Sequence, residues 1–177
     1  NDTQISRKNT MKALSLFSSA GVGETYLKDI GIDVVVGSEL IEKRANLYKH
    51  LYPNSEVVTG DISKKETKER ISKYITDDVK LLIATPPCQG VSSVGKNKKQ
   101  EQFLNDDRNF LIFDVFHFID NFDFDVVLIE NVSNFLKMYF PWDGELLQIN
   151  ELITKKYNEK YTIDIIDINA QDYGVPQ

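Results

Sequence analysis

The sequence is poor in cysteine: Cys88 is the only one among 177 residues. One cysteine cannot form an intramolecular disulfide, and the chain contains no CxxC motif and no Cys/His spacing typical of a zinc site. We therefore expect neither a disulfide framework nor a bound metal. A reducing cytoplasm fits this cysteine usage.

Long apolar runs are also missing, since no stretch approaches 18 apolar residues and the start from Asn1 to Thr10 is polar. Membrane spanning and secretion are therefore not expected. A net charge of -6 argues against a chain whose whole surface binds nucleic acid. The local run Lys96, Lys98 and Lys99 is either a phosphate-binding loop or an ordinary solvated one.

Short apolar or β-branched runs alternate with polar, helix-like stretches after a start at 1–11 that resembles a tail or tag remnant. Strands are predicted at 12–17, 32–37, 56–61, 80–85, 125–130 and 160–168. Helices are predicted at 22–30, 41–51, 63–76, 108–120 and 145–158, the third with Asp61 and Ser63 as caps and with Ile71 and Ile75 on its inner face. Apolar strands must be covered on both sides, so the pattern predicts one domain with a doubly wound, mostly parallel α/β sheet.

A glycine-containing turn follows the first predicted strand, and acidic residues end the next two. Gly21 and Gly23 let the backbone approach a ligand, but Tyr26 stands where a dinucleotide fingerprint needs glycine, which favours a ligand without phosphates. Glu39 can accept hydrogen bonds from ribose hydroxyls, or it is a helix cap or a surface charge. Asp61 can accept from an adenine amine, or it caps the next helix. Together these residues predict a nucleoside site.

The lone thiol follows two prolines at the end of a predicted strand. Pro86 and Pro87 force the chain out of the sheet, so we expect Cys88 to be presented rather than buried, although a lone cysteine is usually a core residue. Glu130 ends the next strand at the same edge, where apolar surroundings can raise the pKa of a carboxyl group enough for it to donate a proton. Both histidines, His50 and His117, fall in predicted helices, so a Cys-His hydrolase pair is not indicated.

Five ordered motifs resemble the cytosine-5 methyltransferase family of DNA-modifying enzymes, from Lys12 to the last residue. They are "LFSSAGVGE", Glu39, "GDI", "PPCQ" and "ENV", and "DDRNFL" and "NAQDYGVPQ" resemble two further family segments. "PPCQ" alone is only suggestive, but Cys88 lies 42 residues before Glu130, which makes the resemblance specific. It implies a Rossmann-like, S-adenosylmethionine-dependent methyltransferase fold.

The resemblance further implies a cytoplasmic bacterial enzyme of the restriction-modification type that methylates C5 of a cytosine flipped out of double-stranded DNA. Cys88 would add to C6, Glu130 would act at N3, and Asn131 would hold the turn. The implied cofactor contacts are Phe17, Ser18, Ala20, Gly21, Gly23, Glu39, Leu40, Asp61, Ile62, Pro86 and Leu111. The loop 90–107 would close over DNA, with contacts from Gln89, Ser92, Ser93, Lys96, Lys98 and Lys99.

Some features depart from the family pattern. Ser15 stands where the family commonly has Asp, and Ser19 where it has Gly. The chain stops at Gln177, before the family's seventh strand, target-recognition region and last motifs. We therefore expect 12–177 to be the N-terminal part of a catalytic domain that is truncated before its last strand and inactive alone, and that depends on a missing C-terminal segment or a second subunit. The edges at 124–130 and 160–168 would be unpaired, paired with another chain, or rearranged.

Two other readings remain open. A tRNA cytosine-5 methyltransferase of the same architecture would keep Cys88 and Glu130 while acting on RNA. A noncatalytic binding or regulatory homologue would keep the fold but needs neither residue.

Overall fold

In the computed structural model, which describes residues 10–88 and 105–175, the chain forms two compact units. Of the described residues, 10–87 and 107–130 belong to the first unit, and 88, 105–106 and 131–175 belong to the second. Each unit has buried apolar side chains of its own.

A five-stranded sheet of order β3-β2-β1-β4-β5 forms the centre of the first unit. Its strands are β1 (Met11–Leu16), β2 (Ile32–Glu39), β3 (Glu56–Thr59), β4 (Val79–Ala84) and β5 (Val126–Ile129). All of its pairings are parallel, so the carboxyl ends of the strands lie along one edge. Five of the six predicted strands are thus confirmed, as is the mostly parallel α/β class.

The central strands are buried on both faces. Ala13 and Leu14 are adjacent in β1 and point to opposite faces, yet both are fully buried, and Leu81 and Leu82 of β4 are 5% and 0% exposed. Strands that are apolar throughout therefore occupy the middle of the sheet, as expected of a covered parallel sheet.

Three helices belong to the first unit: α1 (Glu42–Leu51), α2 (Lys65–Ser72) and α3 (Ile112–Asn121). The predictions for α1 and α3 hold to within a few residues, and a short 3-10 turn, Asp107–Leu111, leads into α3. The predicted helix at 22–30 is wrong, because the chain forms two 3-10 turns, Val22–Glu24 and Lys28–Ile30. This segment is short and contains Gly23 and several β-branched residues, which are poor helix formers.

The start of α2 also differs from the prediction. The N–H of Ser63 donates to Asp61 Oδ1 at 2.9 Å, and the N–H of Lys64 donates to the Asp61 carbonyl at 3.0 Å. These bonds close a turn before the helix instead of capping it, so α2 begins only at Lys65. Ile71 is fully buried, as predicted, whereas Ile75 lies beyond the end of the helix.

The second unit contains a hairpin and a helix. Strands β6 (Tyr139–Trp142) and β7 (Glu145–Gln148) pair antiparallel, and α4 (Ile149–Tyr157) follows. Asp143 and Gly144, with φ 50° and 79°, form the two-residue turn that suits a hairpin. The prediction of a helix over 145–158 is therefore correct only from residue 149, because the turn pairs 145–148 with the preceding strand.

The predicted strand at 160–168 is absent from the described part of the second unit. Residues 161–169 form neither helix nor strand, and Ile165, Ile166 and Ile168 are 53%, 74% and 61% exposed. An alternating apolar sequence forms a strand only where a neighbouring strand offers hydrogen bonds, and residues 105–175 provide none at this segment.

The outer side of β5 is likewise uncovered within the first unit. β5 pairs only with β4 among the described residues, and its Val126 and Leu128 are 46% and 53% exposed. An exposed edge with apolar side chains is a surface to which another strand can add.

Candidate active site

The order in which successive strands are added to the sheet reverses between β1 and β4, and the candidate site lies at this switch point. β2 and β3 lie on one side of β1, and β4 and β5 on the other. Ligands of open α/β sheets bind in the crevice outside the carboxyl ends of the strands at such a point. The segments that leave β1 and β4 therefore meet the condition for a binding site within the first unit.

The turn after β1 has an unusual backbone. Phe17, Ser19 and Gly21 have φ of 60°, 51° and 79°, whereas Ser18 and Ala20 between them do not have positive φ. Left-handed conformations at two non-glycine residues cost energy and cluster at functional sites. An alternation of this kind lets successive backbone N–H groups form a concave surface that accepts an anionic group.

The backbone of β2 holds this turn in place. The N–H and the hydroxyl of Ser18 both donate to the carbonyl of Ser38, at 2.9 and 3.2 Å, and the N–H of Gly21 donates to the Ser18 carbonyl at 2.8 Å. Ala20 is half-buried and Gly23 is exposed, so the turn keeps one side open.

Sequence reasoning missed three side chains that pack under this turn. The hydroxyl of Tyr52 donates to the Gly21 carbonyl at 2.6 Å, and the hydroxyl of Tyr48 donates to the carboxyl group of Glu24. Burial raises the pKa of Glu24 above its ordinary value, and burial beside Glu24 raises the pKa of Tyr48. The only signal for the two tyrosines in the sequence was their four-residue spacing, with Tyr48 in the predicted helix at 41–51 and Tyr52 just after it.

The acidic residues after β2 and β3 lie at the carboxyl edge. Glu39 is only 7% exposed, and its Oε1 accepts a hydrogen bond from the N–H of Ile41 at 2.8 Å. The side chain of Ser63 holds the pKa of Asp61 below its ordinary value, so Asp61 is an anion at neutral pH. Ile62 is buried and Leu40 is 65% exposed, which leaves an apolar surface near these acids.

The segment after β4 is tied to the turn after β1. The N–H of Thr85 donates to the Leu16 carbonyl at 3.3 Å, and its hydroxyl donates to the Phe17 carbonyl at 3.2 Å. Pro86 is buried beside this junction. Cys88, which begins the second unit, is half-buried rather than fully presented, and burial raises the pKa of its thiol to about 11.

Glu130 follows β5 at the same edge. Its N–H donates to the Ala84 carbonyl at 3.0 Å, so the backbone of Glu130 lies beside the residue that ends β4. The Glu130 side chain is exposed. In the second unit, the Asn131 side chain accepts from the N–H of Val132 at 2.9 Å and stabilises the start of the next turn.

Leu111, an expected cofactor contact, is half-buried at the end of the 3-10 turn before α3. The expected DNA contacts Gln89, Ser92, Ser93, Lys96, Lys98 and Lys99 lie outside the described residues.

The arrangement in the first unit defines a class of protein. A parallel sheet with a switch point, a glycine-containing turn after its first strand and acids after its second and third strands is typical of α/β proteins that bind nucleosides. The chain belongs to the C-5 cytosine-specific DNA methylase family, whose family model matches residues 11–177.

Curated relatives agree with this assignment. The chain is 42% identical over 172 residues to the Type II methyltransferase M1.HgaI of Avibacterium volantium, covering 97% of this chain and 48% of the relative. It is 30% identical to the Type II methyltransferase M.DdeI of Desulfomicrobium norvegicum, covering 94% of this chain and 38% of the relative. The chain thus spans about half or less of the length of these relatives.

Solved structures support the fold. A prophage-encoded Escherichia coli protein described as a DNA modification methyltransferase matches 93% of this chain and 42% of its own, with a TM-score of 0.69 at 24% identity. A DNMT2 mutant of Spodoptera frugiperda matches 85% of this chain and 41% of its own, with a TM-score of 0.59 at 24% identity. Among the described residues, no helix has the length and apolar character needed to cross a bilayer.

Proposed function

We propose that this protein transfers a methyl group from S-adenosylmethionine to C5 of cytosine in DNA, as a bacterial restriction-modification type enzyme of the cytoplasm. The observation that carries the proposal is the position of Glu130, whose N–H bonds to Ala84 at the end of β4, four residues before Cys88 in the chain. The neighbouring strands β4 and β5 are thus followed in the chain by Cys88 and Glu130, respectively.

The residues at the carboxyl edge fit the cofactor. The turn from Phe17 to Gly21 suits a carboxylate. The N–H groups of Ser18 and Gly21 donate to carbonyls, whereas no hydrogen bond among the described residues takes those of Ser19 and Ala20, so these two successive groups can bind one anion. Within residues 10–88 and 105–175, the Glu39 carboxylate accepts only the one bond from Ile41, so it can also accept from ribose hydroxyls. The Asp61 anion can accept from an amine.

When bound, S-adenosylmethionine supplies an electrophilic methyl group. We assign its amino-acid part to Phe17, Ser18, Ala20, Gly21 and Gly23, its ribose to Glu39, and its adenine to the surface formed by Leu40, Asp61 and Ile62. Pro86 and Leu111 would complete the pocket.

In the proposed reaction, Cys88 forms a bond to C6 of a cytosine flipped out of the duplex, and Glu130 donates a hydrogen bond or a proton to N3. C5 would then gain nucleophilic character and take the methyl group, which leaves S-adenosylhomocysteine. Loss of the C5 proton to water and breakage of the Cys88–C6 bond would re-form the C5–C6 double bond and release Cys88 as a thiolate. Asn131 helps hold the turn that carries Glu130.

The thiol has to lose its proton during this sequence. Burial raises the pKa of the Cys88 thiol to about 11, so the thiol is protonated at neutral pH in the free protein. We infer that binding of the flipped base and formation of the C6 bond are coupled to deprotonation of Cys88.

The test uses the full-length protein with radiolabelled S-adenosylmethionine and, separately, duplex DNA and tRNA. We expect transfer to DNA, no transfer by Cys88→Ala, and a loss of about 100-fold or more for Glu130→Gln. Both variants should bind S-adenosylhomocysteine as the wild type does. Glu159→Gln, at an exposed position after α4, is the matched control and should be fully active.

Trapping provides a second, independent readout. A duplex with 5-fluorocytosine should form a covalent complex with the wild type but not with Cys88→Ala. Transfer to tRNA instead of DNA would favour the tRNA enzyme, and retained activity of Cys88→Ala would refute the mechanism. No transfer to either substrate despite cofactor binding would favour a noncatalytic homologue.

A further inference from the structure

We propose that Tyr52 is a positioning residue, which holds the turn from Phe17 to Gly21 in the conformation that binds the amino-acid part of the cofactor. This inference rests on the proposed binding of S-adenosylmethionine. It assigns a role to a side chain that lies outside the family motifs and does not itself reach the ligand in our proposal.

Tyr52 contacts Gly21 in two ways. Its hydroxyl donates to the Gly21 carbonyl at 2.6 Å, across 31 residues of sequence. A Cβ atom placed on Gly21 would lie only 2.2 Å from Cε2 of the Tyr52 ring. The ring therefore occupies the space that any other residue at position 21 would fill, and the hydroxyl fixes the orientation of the peptide group that follows Gly21.

The Tyr52 ring is itself held from behind. The ring centroids of Tyr48 and Tyr52 are 4.8 Å apart, and Tyr48 is fully buried. The Tyr48 hydroxyl donates to the carboxyl group of Glu24, in the 3-10 turn just after Gly21. A Cβ atom on Gly37 of β2 would lie 3.0 Å from Tyr48 Cζ. Tyr48 is thus packed between the sheet and the turn, and this leaves Tyr52 little freedom to move.

The turn needs such support because its backbone is strained. Phe17 and Ser19 keep positive φ without the freedom of glycine, and conformations of this kind persist only where the surrounding structure imposes them. Without the Tyr52 hydroxyl, a smaller fraction of molecules would hold the concave N–H surface. The apparent affinity for a ligand of that surface falls in proportion to this fraction.

Helix α1 links the two halves of the cofactor site. It begins at Glu42, three residues after the proposed ribose ligand Glu39, and carries Tyr48 on its buried side. Tyr52 follows directly after its last residue, Leu51. The same helix is therefore connected to the ribose position at its start and to the amino-acid position at its end.

The experiment compares two ligands that share a nucleoside. S-adenosylhomocysteine has the amino-acid part, whereas 5′-methylthioadenosine lacks it. Affinities for both are measured by titration calorimetry, or by competition for the weaker ligand, on the full-length wild type, Tyr52→Phe and Tyr26→Phe. Tyr26 lies five residues after Gly21 and is 76% exposed, so its substitution removes a tyrosine hydroxyl that does not contact the turn.

For Tyr52→Phe we expect the affinity for S-adenosylhomocysteine to fall about fivefold, the effect of losing one hydrogen bond, with no change for 5′-methylthioadenosine. Tyr26→Phe should leave both affinities unchanged, and circular dichroism should show all three proteins folded. An unchanged affinity of Tyr52→Phe for S-adenosylhomocysteine would overturn the inference. Equal weakening of both ligands would also overturn it, because that pattern indicates a general structural role. A wild type that binds neither ligand would refute the proposed cofactor itself, which is a different result.

Discussion

Gly21→Ala should destabilise the first unit much more than the same substitution at Gly31. Both glycines have left-handed backbones, with φ of 79° and 82°. A Cβ atom on Gly31 would meet nothing within 4 Å, whereas one on Gly21 would lie 2.2 Å from Tyr52 Cε2 and 3.0 Å from Tyr48 Cδ2. Gly31→Ala therefore isolates the conformational cost, and Gly21→Ala adds the clash with the tyrosines.

The magnitudes follow from these contacts. The left-handed conformation costs alanine about 1 kcal/mol, which is all that we expect at Gly31. At Gly21 the tyrosine ring must move, which loses the hydrogen bond from Tyr52 and disturbs its packing on Tyr48, at a further cost of about 2 kcal/mol. For a protein of this size, the melting temperature should fall by about 9 °C for Gly21→Ala and about 3 °C for Gly31→Ala.

The assay is thermal and urea unfolding followed by far-ultraviolet circular dichroism. The same measurements in a Tyr52→Ala background test the cause, because removal of the ring should reduce the cost of Gly21→Ala to between about 1 and about 2 kcal/mol. The close contact with Tyr48, at 3.0 Å, would keep this cost above that of Gly31→Ala. Equal costs for the two alanine substitutions in the wild-type background would refute the reasoning. A cost of Gly21→Ala that does not change when Tyr52 is removed would do the same.

Two further predictions concern charge. Burial raises the pKa of Glu24 above its ordinary value of 4.5, so ionised Glu24 is disfavoured in the folded protein, and this group lowers stability as the pH rises from 4.5 through the folded pKa. Glu24→Gln keeps an acceptor for Tyr48 but does not titrate. The free energy of unfolding of this variant, relative to that of the wild type, should therefore increase as the pH rises through that window and be constant below pH 4.5. A difference in urea unfolding that is independent of pH would contradict this. Lys68 and Asp114 form an ion pair at 2.6 Å with side chains only 19% and 15% exposed, so Asp114→Asn should cost about 2 kcal/mol of unfolding free energy. Lys65→Met breaks the exposed pair with Glu69 and should cost less than about 0.5 kcal/mol, and equal costs would show that burial of the pair is unimportant.

The sequence predicted the parallel sheet because its signals are local. Runs such as 32–37 and 80–85 are apolar enough to require cover on both faces, and the strands form within a few residues of the predictions. The order of the site residues followed as well, because acids and turns that come directly after parallel strands must lie at one edge. The family assignment likewise rested on motifs that are short and ordered.

The failures have physical causes that are not local. Residues 160–168 have the composition of a strand but no neighbouring strand in the described chain, and 145–148 pair with a hairpin partner that a helical pattern concealed. At 22–30, a nine-residue amphipathic pattern was too short to form a helix beside two glycines with positive φ.

The sequence by itself determined which residue types follow each strand, and therefore the family and the prediction of a nucleoside site, since those depend on order along the chain. Only the tertiary structure decided that Tyr52 contacts Gly21, that Glu24 is buried under the turn, and that Cys88 is half-buried with a raised pKa. Packing distances and desolvation arise between segments remote in sequence, and no local pattern encodes them.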